Sequence, residues 1–318
     1  MNFNVNSFLA QGEQAQETYR EERRAERAAL IEQQDAGIME ITGDPEKYVE
    51  YLDRQAKNLR YSPGNTVLIA KEAPDAEQVL SMAEWHKLGR NVRVGERQNG
   101  IRILKPVTYN GTRKTTHISE EGEYFPAGET YGGTGFKVHL VYDIAQTTGR
   151  AYIPPTEIGR NPEQQAALLR NLHQSCPVPV KASDELTVPA HYAPQDHTVY
   201  IRPDLDESQF FAALSGECVQ AALHNHGQNR DYRYEDFTLD AASIQYMLCR
   251  RYGIETEPLE ILADVGRAFA GYPVEDRRSI LDANRELAKN MAERLEWGLN
   301  RQAEKTRRVT PTRRQGAR

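Results

Sequence analysis

The spacing of apolar positions changes along the chain and divides it. Residues 8–37 are rich in Glu, Arg and Ala with little apolar stripe, the pattern of a charged helix left solvated or partly disordered. Asp44-Pro45 then supplies a cap and a first-turn proline, after which Tyr48, Tyr51, Leu52, Gln55, Ala56 and Leu59 recur at helical spacing. A short helix is expected through Asn65–Ala70 and a third through Asp75–Leu88, ended by Gly89. The period then shortens. Asn91–Val94 and Ile101–Lys105 alternate apolar with basic residues, as strands with one buried face do. Residues 108–135, rich in Gly and Thr, read as a long flexible hairpin, and Phe136–Ile144 as the strand that closes the sheet. A linker with Pro154-Pro155 covers 151–160. The second half is mainly helical: Asn161–Gln174, Ser208–His224, Thr238–Tyr252 capped by Gly253, and an amphipathic last helix through Ile280, Leu281, Leu287, Ala288, Met291 and Leu295, with one short strand at Thr198–Arg202. The order predicts an α+β protein, with N-terminal helices packed on a small antiparallel sheet and a mainly helical domain after them.

A chain of 318 residues can hold two domains, each with its own core. It contains no apolar run long enough for a transmembrane helix and no basic-then-apolar leader, so the cytoplasm is the expected location and no membrane partner is expected. Cys176, Cys218 and Cys249 are far apart and odd in number, which fits neither a disulfide framework nor a Cys-x-x-Cys metal site. The net charge of −6 is unevenly spread. Residues 85–114 carry Lys87, Arg90, Arg93, Arg97, Arg102, Lys105, Arg113 and Lys114 against Glu96, and residues 305–318 carry Lys305, Arg307, Arg308, Arg313, Arg314 and Arg318 with no acid. Local clustering of this kind is what a polyanion meets.

Binding of single-stranded nucleic acid needs a positive groove for phosphates and aromatic faces for unpaired bases. Lys57, Arg60, Tyr61, Trp85, Lys87, Arg90, Arg93, Arg102 and Lys105 bring both ingredients to one region. Composition alone favours the plainer account, with Trp85 a core anchor and the basic side chains solvated.

The ordered motifs in this region carry more. Tyr61-Ser62-x-x-Asn65, the apolar helix after it, Trp85 with Lys87 and Gly89, Val92-Arg93-x-Gly95-Glu96, the strand Ile101-x-Ile103-Leu104, and the closing Tyr142-Asp143-x-x-Gln146-Thr147 together resemble the N-terminal domain of the ArdC-type antirestriction proteins of plasmids and conjugative elements. The resemblance covers residues 45–150, apart from the 108–135 excursion. It implies a single-stranded DNA-binding domain whose contact candidates are Arg60, Tyr61, Asn65, Trp85, Lys87, Arg90, Arg93, Arg102 and Lys105. Asn65 serves either as a contact or as a cap on the next helix, Gly95 as a turn residue and Glu96 as a positioning ion pair, and at least one of Tyr61 and Trp85 belongs to the core.

In that family the C-terminal domain is a zincin-like zinc metallopeptidase whose long helix carries His-Glu-x-x-His, two ligands on one helical face with the Glu as general base, and whose third ligand is a Glu on the next helix. Here the corresponding run is Gly216-Glu217-Cys218-Val219-Gln220, and the third-ligand position holds Ala242. Glycine and alanine offer no donor atom, and the glutamine amide is a poor zinc ligand. Glu217 is thus expected to be the remnant of a general base in a pseudo-metallopeptidase with no metal and no cofactor. Rebuilding a site from Cys218, His224 and His226 would place His224 seven residues beyond Glu217, two helical turns from the base. The expected layout is a charged lead-in over 1–40, a single-stranded DNA-binding domain over 41–155, a degenerate metallopeptidase-like domain over 156–300 and a disordered basic tail over 301–318. The expected function is sequence-nonspecific single-stranded DNA binding that protects transferred DNA in antirestriction. The rivals are a peptidase with a rebuilt site and an adaptor whose peptidase-like helices grip an unidentified protein partner.

Overall fold

A computed structural model describes the backbone of residues 5–118 and 124–309 and, within these, the side chains of all but 5–13, 117, 125 and 300–309. In chain order the first part holds α1 (Val5–Ile41), α2 (Pro45–Lys57), α3 (Pro63–Glu72), β1 (Val79–Leu80), α4 (Met82–Lys87), β2 (Arg90–Val92), β3 (Ile101–Thr112), β4 (His117–Ile118), β5 (Tyr124–Phe125), β6 (Thr130–Asp143) and β7 (Thr147–Gly149). The second part holds α5 (Glu157–Arg160), α6 (Pro162–Ser175), β8 (Val180–Ala182), β9 (Ala190–Ala193), β10 (Thr198–Ile201), α7 (Glu207–His224), α8 (Thr238–Tyr252), α9 (Val265–Ala268) and α10 (Val274–Val309). The protein is α+β. Among the described residues no helix is long and apolar enough to cross a membrane.

Two compact units form, Met1–Ala36 with Leu68–Gly149, and Gly37–Val67 with Arg150–Arg318. Residues 41–67, read from the sequence as part of the first domain, thus fold with the second unit. The physical reason lies in α2. Asp44 caps it by accepting from the Glu46 and Lys47 amides at 2.9 and 3.2 Å, and its periodic face then buries Tyr48, Tyr51, Leu52 and Ala56 in the core shared by α6, α7, α8 and α10. The Tyr48 hydroxyl lies 2.8 Å from Ser243 Oγ of α8.

In the first unit β6 pairs antiparallel with both β1 and β3, and β2 pairs with β7. The α1 helix is more than a solvated lead-in: Leu30 is buried against Leu68, Leu104 and Val138, and Arg27 donates to the Phe136 carbonyl at 3.2 Å. The helix expected through Asp75–Leu88 is instead β1 followed by the six-residue α4. Two local effects win over periodicity. Ser81 and Glu84 close a capping box that restarts the helix at Met82, and Val79 and Leu80 find strand partners in Asp143 and Tyr142. The 108–135 excursion is largely ladder, since β3 and β6 pair continuously from Ile101–Val141 out to Thr112–Thr130.

The second unit adds a mixed three-stranded sheet, with β10 parallel to β8 and antiparallel to β9. Gly253 ends α8 at φ +68°, where an added Cβ would sit 2.4 Å from the Thr156 carbonyl oxygen, so both conformation and space call for glycine. The last helix runs on to Val309, so residues 301–309 are helical rather than disordered tail; residues 310–318 lie outside the described residues.

Candidate functional site

The nine contact candidates do not form one group. Arg60, Tyr61 and Asn65 fall in the second unit and the other six in the first. Trp85 is fully buried, its indole Nε1 donating to the Tyr142 carbonyl at 2.8 Å. Tyr61 is also buried, with its carbonyl accepting from Gln55 Nε2 at 3.1 Å. Both rings are therefore core, and neither has a face to offer a base. Asn65 is buried inside α3, and the capping role falls to Ser62, whose Oγ accepts from the Asn65 amide at 3.4 Å. Arg90 donates through Nε to Thr147 Oγ1 at 2.8 Å and Arg93 through Nη1 to the Ala145 carbonyl at 2.7 Å, so these two guanidinium groups tie β2 and the turn after it to the β6–β7 turn. Arg102 pairs with Glu72 at 2.7 Å while remaining half exposed. Lys87 and Lys105 are exposed, as are Arg60 in the second unit and Arg97 and Lys114 in the first. Glu96, the one acid in this stretch, is held by Gln146, Asn99 and Arg93, which keep its carboxyl below the usual range.

The Tyr142–Thr147 motif proves to be a joint. Asp143 accepts from the Glu77 and Gln78 amides at 2.8 and 3.0 Å through one oxygen and from the Ala145 amide at 2.8 Å through the other. Gln146 Nε2 donates to the Asn99 carbonyl at 2.8 Å, and the Tyr142 hydroxyl donates to the Arg97 carbonyl at 2.8 Å.

In the second unit a polar and aromatic cluster gathers where α7 crosses β9. Glu217 lies in α7 and is buried, one carboxylate oxygen accepting from the Tyr192 amide at 2.7 Å and the other from the Tyr234 hydroxyl at 2.9 Å. Burial pushes its pKa up to about 7, against the opposing pull of these two hydrogen bonds. Burial likewise raises Tyr232 and Tyr234, so both phenols stay protonated donors. One turn on, Gln220 accepts from the Tyr232 hydroxyl at 2.8 Å and donates to the Tyr234 carbonyl at 3.2 Å. Beyond it the rings of His197, His224, Tyr232 and Phe237 stack in sequence, with centroids 5.1, 4.6 and 5.6 Å apart. His224 Nδ1 lies 2.7 Å from the Tyr192 hydroxyl, and burial with His197 and His226 nearby lowers its pKa. Sequence patterns gave no sign of Tyr192, which lies in β9, and for Tyr232 and Tyr234 the only signal was a tyrosine-bearing loop after α7.

This donor set does not fit a zinc ion. A zinc site needs three converging donors and an open position. Both Glu217 oxygens and both ends of Gln220 are already engaged, Ala242 has no donor, and an added Cβ at Gly216 would sit 2.5 Å from Gln245 Oε1. His224 is held in the ring stack, and His226 is an exposed turn residue at φ 54°. The Cys218 thiol is buried and hydrogen-bonded with Cys176, which together with burial raises its pKa.

Residues 18–132 match the family model for the N-terminal domain of the anti-restriction factor ArdC. This part of the chain is similar to an ArdC N-terminal domain. The match begins inside α1, earlier than the resemblance at residue 45, in keeping with the burial of Leu30. It ends inside β6 and so takes in much of the hairpin, while the Tyr142–Thr147 joint lies beyond it. Two crystal structures of the antirestriction ArdC protein from plasmid R388 are similar to about three quarters of the chain at 18% identity. The metal-free one covers 76% of this chain and 86% of its own with a TM-score of 0.45. The Mn(II)-bound one covers 75% and 89% with a TM-score of 0.41. No residue role follows from a likeness of that size. No curated protein matches the chain.

Proposed function

We propose that the protein binds single-stranded DNA without sequence preference through its ArdC-type domain, and that this binding serves antirestriction, the role named for the matching family. The observation that carries the reading is the exposed positive surface of that domain. Lys87, Arg97, Lys105 and Lys114 reach solvent there, while Glu96 is occupied by internal hydrogen bonds. A net charge of −6 on the whole chain does not oppose this, because a local patch sets the field a polyanion meets. The protein would act in the cytoplasm, where incoming DNA is exposed to restriction.

The second unit, in this reading, is a non-catalytic scaffold. Glu217 has the chemistry of a general base, but both of its carboxylate oxygens are engaged, by the Tyr192 amide and the Tyr234 hydroxyl.

Fluorescence anisotropy of a labelled oligothymidine with the full chain tests the binding. Single strands should bind more tightly than duplex, and affinity should fall steeply between low and moderate salt as phosphate contacts release counterions. Equal affinity for both forms, or indifference to salt, refutes it. For the second unit, metal analysis after chelation and dialysis should find no stoichiometric zinc, and a peptide-cleavage assay should show no turnover. One zinc per chain, lost on changing His224 or Cys218, would restore the peptidase reading.

A further inference from the structure

The burial of Trp85 and Tyr61 leaves the proposed single-strand site without the aromatic faces it requires, and the β3–β6 hairpin holds replacements. Directly paired residues in an antiparallel ladder share a face, and so do positions two apart along a strand. The register therefore places Lys105 and Lys137, Val107 and Gly135, Tyr109 and Gly133, and Gly111 and Tyr131 in succession on one face. Arg113 continues the same alternation, bonded by its amide to the Glu129 carbonyl at 2.8 Å.

The glycines decide how the rings lie. A Cβ added at Gly133 would be 2.7 Å from the Tyr109 hydroxyl oxygen, and one added at Gly111 would be 2.6 Å from Tyr131 Cζ. Each phenol thus lies over the glycine opposite it, in space a larger side chain would fill, and both remain open to solvent; Tyr109 is 50% and Tyr131 45% exposed. Arg113 places its guanidinium carbon 5.3 Å from the Tyr131 ring centre while pairing with Glu129 at 3.3 Å.

Tyrosines over glycines have a structural use, since an aromatic ring shields a glycine in a ladder. That use does not account for the lysines. Lys105 and Lys137 are exposed and directly opposite one another, and like charges in that position destabilise a ladder. Burial, with the two lysine charges added, holds the pKa of His139, one pair further in, below the usual imidazole range, with Glu84 as the opposing charge. An arrangement that costs the hairpin stability is offset when an anion lies between the two ammonium groups. From Lys105 to Arg113 the strand runs roughly 27 Å, enough for several nucleotides.

We infer that this hairpin face is the base-stacking platform of the single-strand site, with Tyr109 and Tyr131 stacking on successive unpaired bases and Lys105, Lys137 and Arg113 holding the flanking phosphates. The inference rests on the single-strand reading above. Glu120, Glu121 and Glu123 fall outside the described residues.

The test uses the full chain, labelled oligothymidine and a matching duplex. The Tyr109→Ala/Tyr131→Ala double variant should bind oligothymidine about 10- to 100-fold more weakly, and Tyr109→Phe/Tyr131→Phe, which keeps the π faces, should stay within about twofold of the wild type. Lys137→Gln should weaken single-strand binding a fewfold and flatten its salt dependence. If the wild type binds and the alanine pair binds equally well, the platform is refuted and the single-strand reading stands. If phenylalanine fails as badly as alanine, the hydroxyls and not the faces matter, and the platform is again refuted. A wild type that binds no single strand removes both.

Discussion

A carboxyl group enclosed between a backbone amide and a phenol has a simple thermodynamic signature, and Glu217 is that group. Its folded pKa is raised to about 7 by burial, above the ordinary carboxyl value of 4.5. Between these two values the folded protein keeps a proton that the unfolded chain has released, so stability is fully present below about 4.5 and is lost as pH rises through 7. The size of the loss is roughly 3 kcal/mol across the window. Glu217→Gln removes the titration. The amide oxygen can still accept from the Tyr192 amide, and the amide nitrogen can donate to the Tyr234 hydroxyl oxygen. Melting curves at pH 5 and pH 8 should therefore show the wild type losing more stability than the variant over that interval. Parallel losses would mean that the folded-state pKa of Glu217 is not raised. The substitution should leave oligonucleotide binding intact, because the cluster lies in the other unit.

At the level of elements, the junction of β1, α4 and β6 shows how a motif read as a family signature acts as a fastener. Asp143 is buried and its two oxygens accept from three backbone amides, those of Glu77, Gln78 and Ala145. Asp143→Ala removes the shared acceptor of all three amides, at a cost of about 1–3 kcal/mol. Asp143→Asn keeps one acceptor and should fall between. Thermal unfolding followed by fluorescence in a Trp297→Phe background, where Trp85 over the same junction is the one remaining indole, reads the effect; an alanine variant that melts like its parent would show the three bonds to be dispensable. The same junction explains what was legible in the sequence. The strand pattern of Ile101–Lys105 and Phe136–Ile144 was strong because one face is buried, and α2 and α8 were read correctly because caps agreed with periodicity at Asp44 and Gly253. The Asp75–Leu88 segment misled because its apolar spacing fits a helix, while β1 is made by a partner more than sixty residues away, a term absent from any local window. Trp85 and Tyr61 illustrate the complementary limit at the site. Composition placed aromatic and basic residues together, but only burial distinguishes a stacking face from a core anchor. The hairpin glycines, read as flexibility, are instead the positions over which Tyr109 and Tyr131 lie.

For the whole molecule, the division into units changes which pieces can stand alone. A fragment spanning 41–155, the domain that sequence patterns outline, would carry α2 and α3 but leave behind the second-unit core that α2 packs against. Tyr48, Tyr51, Leu52, Ala56 and Leu59 lie in the core with Phe211, Leu214, Ile244, Leu248 and Ala288. Polar ties would be lost with them: Ser243 to the Tyr48 hydroxyl, Arg251 to the Ala56 carbonyl at 3.2 Å and Arg285 to the Leu59 carbonyl at 3.0 Å. At the other end the fragment lacks Leu30, which covers Leu68 and Leu104. Each large apolar side chain returned to water costs about 1.5–3 kcal/mol, and five or six of them consume the roughly 5–15 kcal/mol by which a domain is stable. The 41–155 fragment should therefore give weak near-ultraviolet circular dichroism and a broad urea transition, whereas the full chain unfolds cooperatively. A sharp transition with native-like dichroism from the fragment would show that α2 folds without the second-unit core. A failed binding assay on this fragment would carry no information about the hairpin, because the fold that presents Tyr109 and Tyr131 depends on α1 packing against β3 and β6.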